Sequence, residues 1–219
     1  MFKYLIFSAL IILSACSGTR QVIPLKAKEH NVAASLGGPM IKFSGLVIPM
    51  PLTSVAWSYG INDTYTTTTA IHTTSMLFGV IHFEGSVLSR VYLSPCTRSG
   101  ITVSPGFHAM ADIWEGKFSF YPFADFMFYR TYNEGKGMFY AGPSLMFDVR
   151  STKAFDVKNT NRIIPWFSAG YKWNRPKISY SVELKYLNFT RNNQNIVVEY
   201  IAPGNKGALG IYFGLSKTF

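Results

Sequence analysis

Three histidines and two carboxylates, His72, His82, Glu84, His108 and Asp112, are the residues of this chain whose types could do chemistry together. An imidazole binds divalent metals or carries a proton near neutral pH. A carboxylate orients such an imidazole or completes a ligand set. In extended backbone, side chains alternate between two faces, which puts His82 and Glu84 on the same one. His108 then falls on the next strand, His72 at the end of the preceding one, and Asp112 just beyond His108. Adjacent antiparallel strands would gather these groups near one rim. The set could bind a divalent metal, supply a general base and its orienter for hydrolysis, or form a hydrogen-bonded polar filling inside a narrow barrel. The filling is the reading favoured by the residues, so no metal is expected and the five stand as weak catalytic candidates. No G-x-S-x-G, H-E-x-x-H, Walker loop or dinucleotide fingerprint accompanies them. Ser104-Pro-Gly-Phe-His108 holds a Ser and a His in no known arrangement.

The elements that must position these residues are strands. From Lys177 to Tyr186, Ile178, Tyr180, Val182, Leu184 and Tyr186 alternate with Ser179, Ser181, Glu183 and Lys185. Near the end, Leu209, Ile211, Phe213 and Leu215 alternate with Gly210, Tyr212, Gly214 and Ser216. Such alternation makes a strand with one apolar and one polar face. The pattern predicts about ten strands, near 31–42, 52–60, 64–73, 79–89, 100–111, 117–130, 138–150, 162–173, 177–187 and 207–219. No stretch of the mature chain has a helical period. Most of these runs have the length a tilted strand needs to cross a bilayer, not the five or six residues common in soluble sheets.

Composition agrees. Hydrophobic residues make up 48%, aromatics 16% and charged residues 15%, against about 25% charged in an ordinary soluble domain. After residue 16 no apolar run reaches the ~18 residues of a spanning helix. A membrane protein without such helices must close its sheet, because lipid offers no partner to unpaired backbone groups. Short turns at Asn62-Asp63, Asn133–Gly137 and Asn174–Pro176 alternate with longer links at 151–161 and 188–206. With both termini periplasmic, the short turns fall on that side and the long loops outside. Trp57, Tyr59, Trp114, Trp166, Tyr171 and Trp173 suggest interfacial girdles. Pro105, Pro122, Pro143 and Pro165 interrupt four proposed strands, two of them beside Gly106 and Gly142, and predict β-bulges there.

Met1-Phe-Lys3 is a short basic start, Tyr4–Leu13 an apolar stretch too short to span, and Leu13-Ser-Ala-Cys16 ends it. This resembles the signal peptide and lipobox of bacterial lipoproteins. The resemblance implies cleavage before Cys16, diacylglycerol on its sulfur and an acylated amine, a covalent lipid such as palmitate serving as the one attached group. Two or three chains hold a protein stably in a membrane. Ser17 is similar to the residue that sorts Gram-negative lipoproteins to the outer membrane, and Ser17-Gly-Thr-Arg20-Gln lacks the acidic tract of surface-exported ones. Lipid attachment in the periplasmic leaflet follows. The expected organisation is a signal peptide at 1–15, a polar lipidated tether at 16–30 and a β-barrel at 31–219. Cys96 is left without an intrachain partner, which excludes a disulfide framework and a cysteine metal site.

The chain ends in Phe219 on an amphipathic strand, which resembles the assembly signal of outer-membrane barrels, apart from Lys217 on the apolar face. The whole is similar to small outer-membrane β-barrel lipoproteins of Gram-negative bacteria. That likeness implies fold, location and handling by the barrel-assembly machinery, and carries no activity. The net charge of +10 suits lipid headgroups and lipopolysaccharide phosphates. Arg150, Lys153, Lys158 and Arg162 are too dispersed for a nucleic-acid surface, so no nucleic acid is expected, and no protein partner is indicated. The expected fold is therefore all-β, a single antiparallel up-and-down transmembrane β-barrel. Its first expected role is structural or interaction; an enzyme acting on lipid or peptide at the extracellular rim is the second reading. The third is a soluble, tethered, lipocalin-like lipid carrier with its apolar face turned inward.

Overall fold

The structure, a computed structural model, describes residues 20–94, 98–151, 158–194 and 198–219. Cys16, the signal segment and Cys96 lie outside the described residues. The strands are β1 (His30–Phe43), β2 (Leu46–Pro49), β3 (Leu52–Gly60), β4 (Tyr65–Ile71), β5 (Val80–Ser94), β6 (Ser99–Asp112), β7 (Lys117–Tyr132), β8 (Gly137–Phe147), β9 (Ile163–Trp173), β10 (Ser179–Asn192) and β11 (Lys206–Thr218). From β3 to β11 each strand pairs antiparallel with the next, and β1 pairs with both β3 and β11, which closes the sheet. β2 pairs only with Met40–Phe43 and forms a hairpin beyond the barrel wall. The barrel thus has the ten strands expected. Among the described residues a short α-helix, α1 (Thr73–Leu77), interrupts the all-β pattern between β4 and β5. It is too short to leave a helical period in the sequence.

The apolar face points out. On β10, Tyr180 and Leu184 are half exposed while Glu183 and Lys185 are buried; on β11, Phe213 and Leu215 face out and Tyr212 faces in. An apolar belt around a barrel with a polar interior is the arrangement lipid demands. The lipocalin-like reading needs the opposite orientation and is corrected by this one. Trp57, Trp114 and Trp173 are exposed, as a girdle requires, but Trp166 is buried in the interior. It has the inward parity of Ser168 and Gly170, and one residue of shift changes the face.

Most connections divide as expected. The β3–β4, β5–β6, β7–β8 and β9–β10 connections are short and join strands at the end where the His30 and Phe219 backbones hydrogen-bond; this is the turn end. The long β8–β9 and β10–β11 connections join strands at the other, loop end, but so does the four-residue β6–β7 turn at 113–116, which departs from the expected division. The expected bulges at the four prolines are absent: register shifts occur only at Arg90/Tyr92 and Leu187/Asn192. In an antiparallel ladder each residue's N–H faces one neighbour only, so a proline removes one bond and not two. The pairings opposite Pro105 on β5 and Pro143 on β7 are missing, while the pairs on either side of each proline keep one register. Pro122 and Pro165 lie just past the last pairs with β8 and β10. At Gly142 a Cβ would stand 1.8 Å from the Phe126 carbonyl oxygen, so the absent side chain lets β8 approach β7 without an inserted residue.

The interior is filled. Residues 20–25, read from the sequence as part of a polar tether, run inside the barrel, and the exposed residues 26–28 lead from them to β1 at the turn end. Val22 packs with Met127, Tyr129, Met138 and Tyr140, and the Leu25 N–H donates to Thr66 Oγ1 at 2.8 Å. Toward the loop end, Tyr121, Phe123, Met146, Ile164, Trp166 and Leu187 form a second apolar cluster. Tyr200 covers it, held by an antiparallel bridge from the β10–β11 link to Ile41. Two cavities of about 30 and 20 Å³ border the inserted segment, room for a few waters and no solute.

Candidate functional site

The sequence placed His82 and Glu84 on one face of a strand, and β5 turns that face inward. The register sets Glu84 opposite His108 on β6. His72 follows the last residue of β4, and its N–H donates to the His82 carbonyl at 3.0 Å, carrying the β4–β5 ladder one residue further. Four side chains therefore converge inside the barrel near its loop end. His72 and His82 stack at 3.8 Å between ring centroids. His82 Nε2 lies 3.0 Å from His108 Nδ1, and His72 Nε2 3.2 Å from Glu84 Oε2. His108 Nδ1 is 3.7 Å from the same Glu84 oxygen. All four residues are at most 5% exposed.

Asp112 does not join them. It stands at the β6–β7 turn, where its Oδ1 accepts from the backbone N–H groups of Trp114 and Glu115 at 2.9 and 3.0 Å. This is a carboxylate closing a turn, and it corrects the grouping of Asp112 with the histidines. Four residues past His108 carries it along the strand to the rim.

The residue that completes the cluster comes from the inserted segment. Arg20 Nη2 is 3.4 Å from Glu84 Oε1, and Nη1 forms a direct ion pair with Asp125 on β7. The guanidinium lies over the Phe123 ring, 4.3 Å from its centroid. A second buried group stands nearby: Lys185 Nζ is 3.0 Å from Glu183 Oε1, and the Tyr140 hydroxyl donates to Glu183 Oε2 at 2.6 Å. Asp125 left a legible trace, since a charge in the middle of a spanning strand has to face the interior. Both faces of β7 are rich in aromatics, so parity alone did not single it out. Glu183 and Lys185 were visible as a polar face, though not as an ion pair. Nothing local marks Arg20, whose partners lie 64 and 105 residues away.

Outside the wall, the β8–β9 link is pinned by Asp148, which accepts from Arg150 Nε and Nη2 at 3.0 Å each and from Asn159 Nδ2 at 3.0 Å. Burial pushes the Asp148 carboxyl up, but the Arg150 hydrogen bonds and charge, with Asn159, outweigh it and hold the group below its usual range.

Chemically, the interior offers three imidazole nitrogens and a carboxylate oxygen within contact of one another, beside a guanidinium, under an apolar cover. No family model matches the chain, and no curated protein matches it. Among solved structures, an outer-membrane channel from Pseudomonas putida F1 is similar over 93% of this chain and 100% of its own, at 9% identity and a TM-score of 0.50. The translocator domain of the autotransporter NalP from Neisseria meningitidis covers 100% of this chain and 95% of its own, at 9% identity and a TM-score of 0.47. The outer-membrane protein OprG from Pseudomonas aeruginosa covers 91% and 99%, at 9% identity and a TM-score of 0.37. At such identity the likeness concerns the fold: an outer-membrane β-barrel.

Proposed function

We propose that this chain is a lipid-anchored barrel with a closed interior that serves the outer membrane as a structural or interaction element. The observation that carries this reading is the filling supplied without the N-terminal segment: the apolar cluster of Tyr121, Phe123, Met146, Ile164, Trp166 and Leu187 under Tyr200, and the Tyr140–Glu183–Lys185 network. The Pseudomonas putida neighbour is a channel; the channel role is not carried over to a lumen occupied in this way. The enzyme reading needs a substrate to reach the imidazoles, and His82 and His108, each 1% exposed, argue against it. Headgroup and lipopolysaccharide contacts at the basic rims, and delivery by the assembly machinery through Phe219, belong to the same proposal. The test is conductance: the purified barrel in a planar bilayer is expected to give no steady open-pore current. A stable pore current from the wild-type protein would replace this reading with transport.

Anchoring through Cys16 is part of the proposal and has a geometric consequence. Four residues separate Cys16 from Arg20, a reach of about 14 Å. Glu84, which holds Arg20, stands ten residues up β5 from Ser94, roughly 25 Å of height for a tilted strand. An anchor in the leaflet at the turn end and a docked segment 20–25 therefore exclude each other within one molecule. Fatty-acid labelling is expected to disappear in Cys16→Ser. With Cys96→Ser as background, Val22→Cys should react with a soluble maleimide in the lipidated protein. It should be protected when the chain is exported behind a non-lipoprotein leader. Protection in both forms would remove the anchor from that leaflet, and undiminished labelling of Cys16→Ser would remove it altogether.

A further inference from the structure

We propose that His72, His82, His108 and Glu84 form a closed, four-coordinate site for a divalent transition metal of the zinc type. Each imidazole offers one nitrogen, and the three nitrogens lie within 4.8 Å of one another. Three edges of the donor set are 3.0 Å between His82 and His108, 3.2 Å between His72 and Glu84, and 3.7 Å between His108 and Glu84. Four ligands at the usual zinc distance of about 2.0–2.1 Å make a tetrahedron with edges of about 3.4 Å. These three edges lie close to that value and no nitrogen pair is more than 4.8 Å apart, so the stacked His72 and His82 rings have to turn toward a common centre to meet one ion.

The surroundings fit a metal as well as the donors do. Three imidazoles and one carboxylate suit zinc, cobalt, nickel or copper, whereas calcium and magnesium take oxygen ligands. Glu84 presents Oε2 to His72 and His108 while Arg20 holds its other oxygen at 3.4 Å, an outer contact that orients a ligating carboxylate. Arg20 faces two carboxylates, Glu84 and Asp125, so with neutral imidazoles this cluster keeps an excess of negative charge that a cation offsets. Four protein donors leave no open position, which is the pattern of a structural site and not of a hydrolytic one. An ion there ties the ends of β4, β5 and β6 together below the 72–79 link. Burial at the centre means the metal enters while the barrel forms. Without metal, the side chains of these residues make two hydrogen bonds with one another, His82–His108 and His72–Glu84.

Cobalt(II) is the probe. The mature full-length protein is unfolded in urea with EDTA, freed of chelator, refolded into detergent with cobalt(II) and desalted. About one cobalt per chain should remain, with the strong visible bands of four-coordinate cobalt. His82→Ala and His108→Ala should retain none while keeping the heat-modifiable gel mobility of a folded barrel; Asp112→Asn should retain it. Should the histidine variants fail to fold, the wild type still decides. Zinc present during refolding should raise its Tm above that of the EDTA-treated protein. Refolded wild type that holds no cobalt, or shows only the weak bands of six-coordinate ion, or has the same Tm with zinc and with EDTA, overturns the site in favour of hydrogen-bonded filling.

Discussion

Replacing Leu184 by Arg is expected to cost the barrel about 2–4 kcal/mol and to lower its assembly yield. Leu184 is 55% exposed on the outer face, near the middle of β10. An arginine at the midplane of a lipid-facing wall costs that much, and the cost falls toward the interfaces. Tyr180, on the same outer face but at the turn end of β10 and 50% exposed, supplies the contrast. Tyr180→Arg sets its charge near the headgroups, where the cost of an arginine falls toward ~0–1 kcal/mol, so its penalty should be clearly smaller. The measurement is urea-dependent folding into vesicles, with heat-modifiable gel mobility as the readout of the folded fraction. Equal penalties at the two positions, or none at Leu184, would mean that the outer face of β10 meets water. That result would undo the membrane reading altogether, because every other outward residue of β10 and β11 shares the same parity.

A loss of similar size is expected from the inside. In the chain refolded without lipid, where Arg20 is docked, Arg20→Ala should destabilise the folded barrel by about 3–5 kcal/mol, the cost of stranding a buried charge. Asp125 is 2% exposed and pairs with Arg20 across the lumen; Glu84 loses one of its contacts but keeps His72. Arg20→Lys should lose less than Ala and more than nothing, since an ammonium cannot reach two carboxylates with a planar fork. The double variant Arg20→Ala, Asp125→Asn separates the ion pair from mere packing. If the pair matters, it should be more stable than the sum of the single losses, by about 0.5–3 kcal/mol. Denaturant unfolding of all four proteins gives the cycle. Additive losses would show that residues 20–25 are held by Val22 and Leu25 and not by charge.

Much of the barrel is legible without coordinates. Lipid accepts no unpaired backbone, so an apolar face repeating every second residue, in runs too long for a soluble sheet and with no spanning helix, leaves only a closed antiparallel wall. All ten strands follow from that argument. So does the convergence of His72, His82, Glu84 and His108: the three strands are consecutive, hairpin connectivity makes them neighbours, and equal parity turns them to one side. The bulges inferred at the prolines were the wrong consequence of a right observation, because one missing donor costs one bond in a ladder whose register other pairs maintain. Alternation by itself is symmetric between inside and outside; strand length and the terminal Phe219 favoured an outward apolar face, and the closed wall has it so. The interior belongs to tertiary structure alone. Residues 20–29 are polar enough to pass for a tether, and no local pattern announces that Arg20 will meet Glu84 and Asp125. Closing a wall brings partners together from distant strands, and the need to neutralise buried carboxylates then recruits a cation from wherever the chain can supply one.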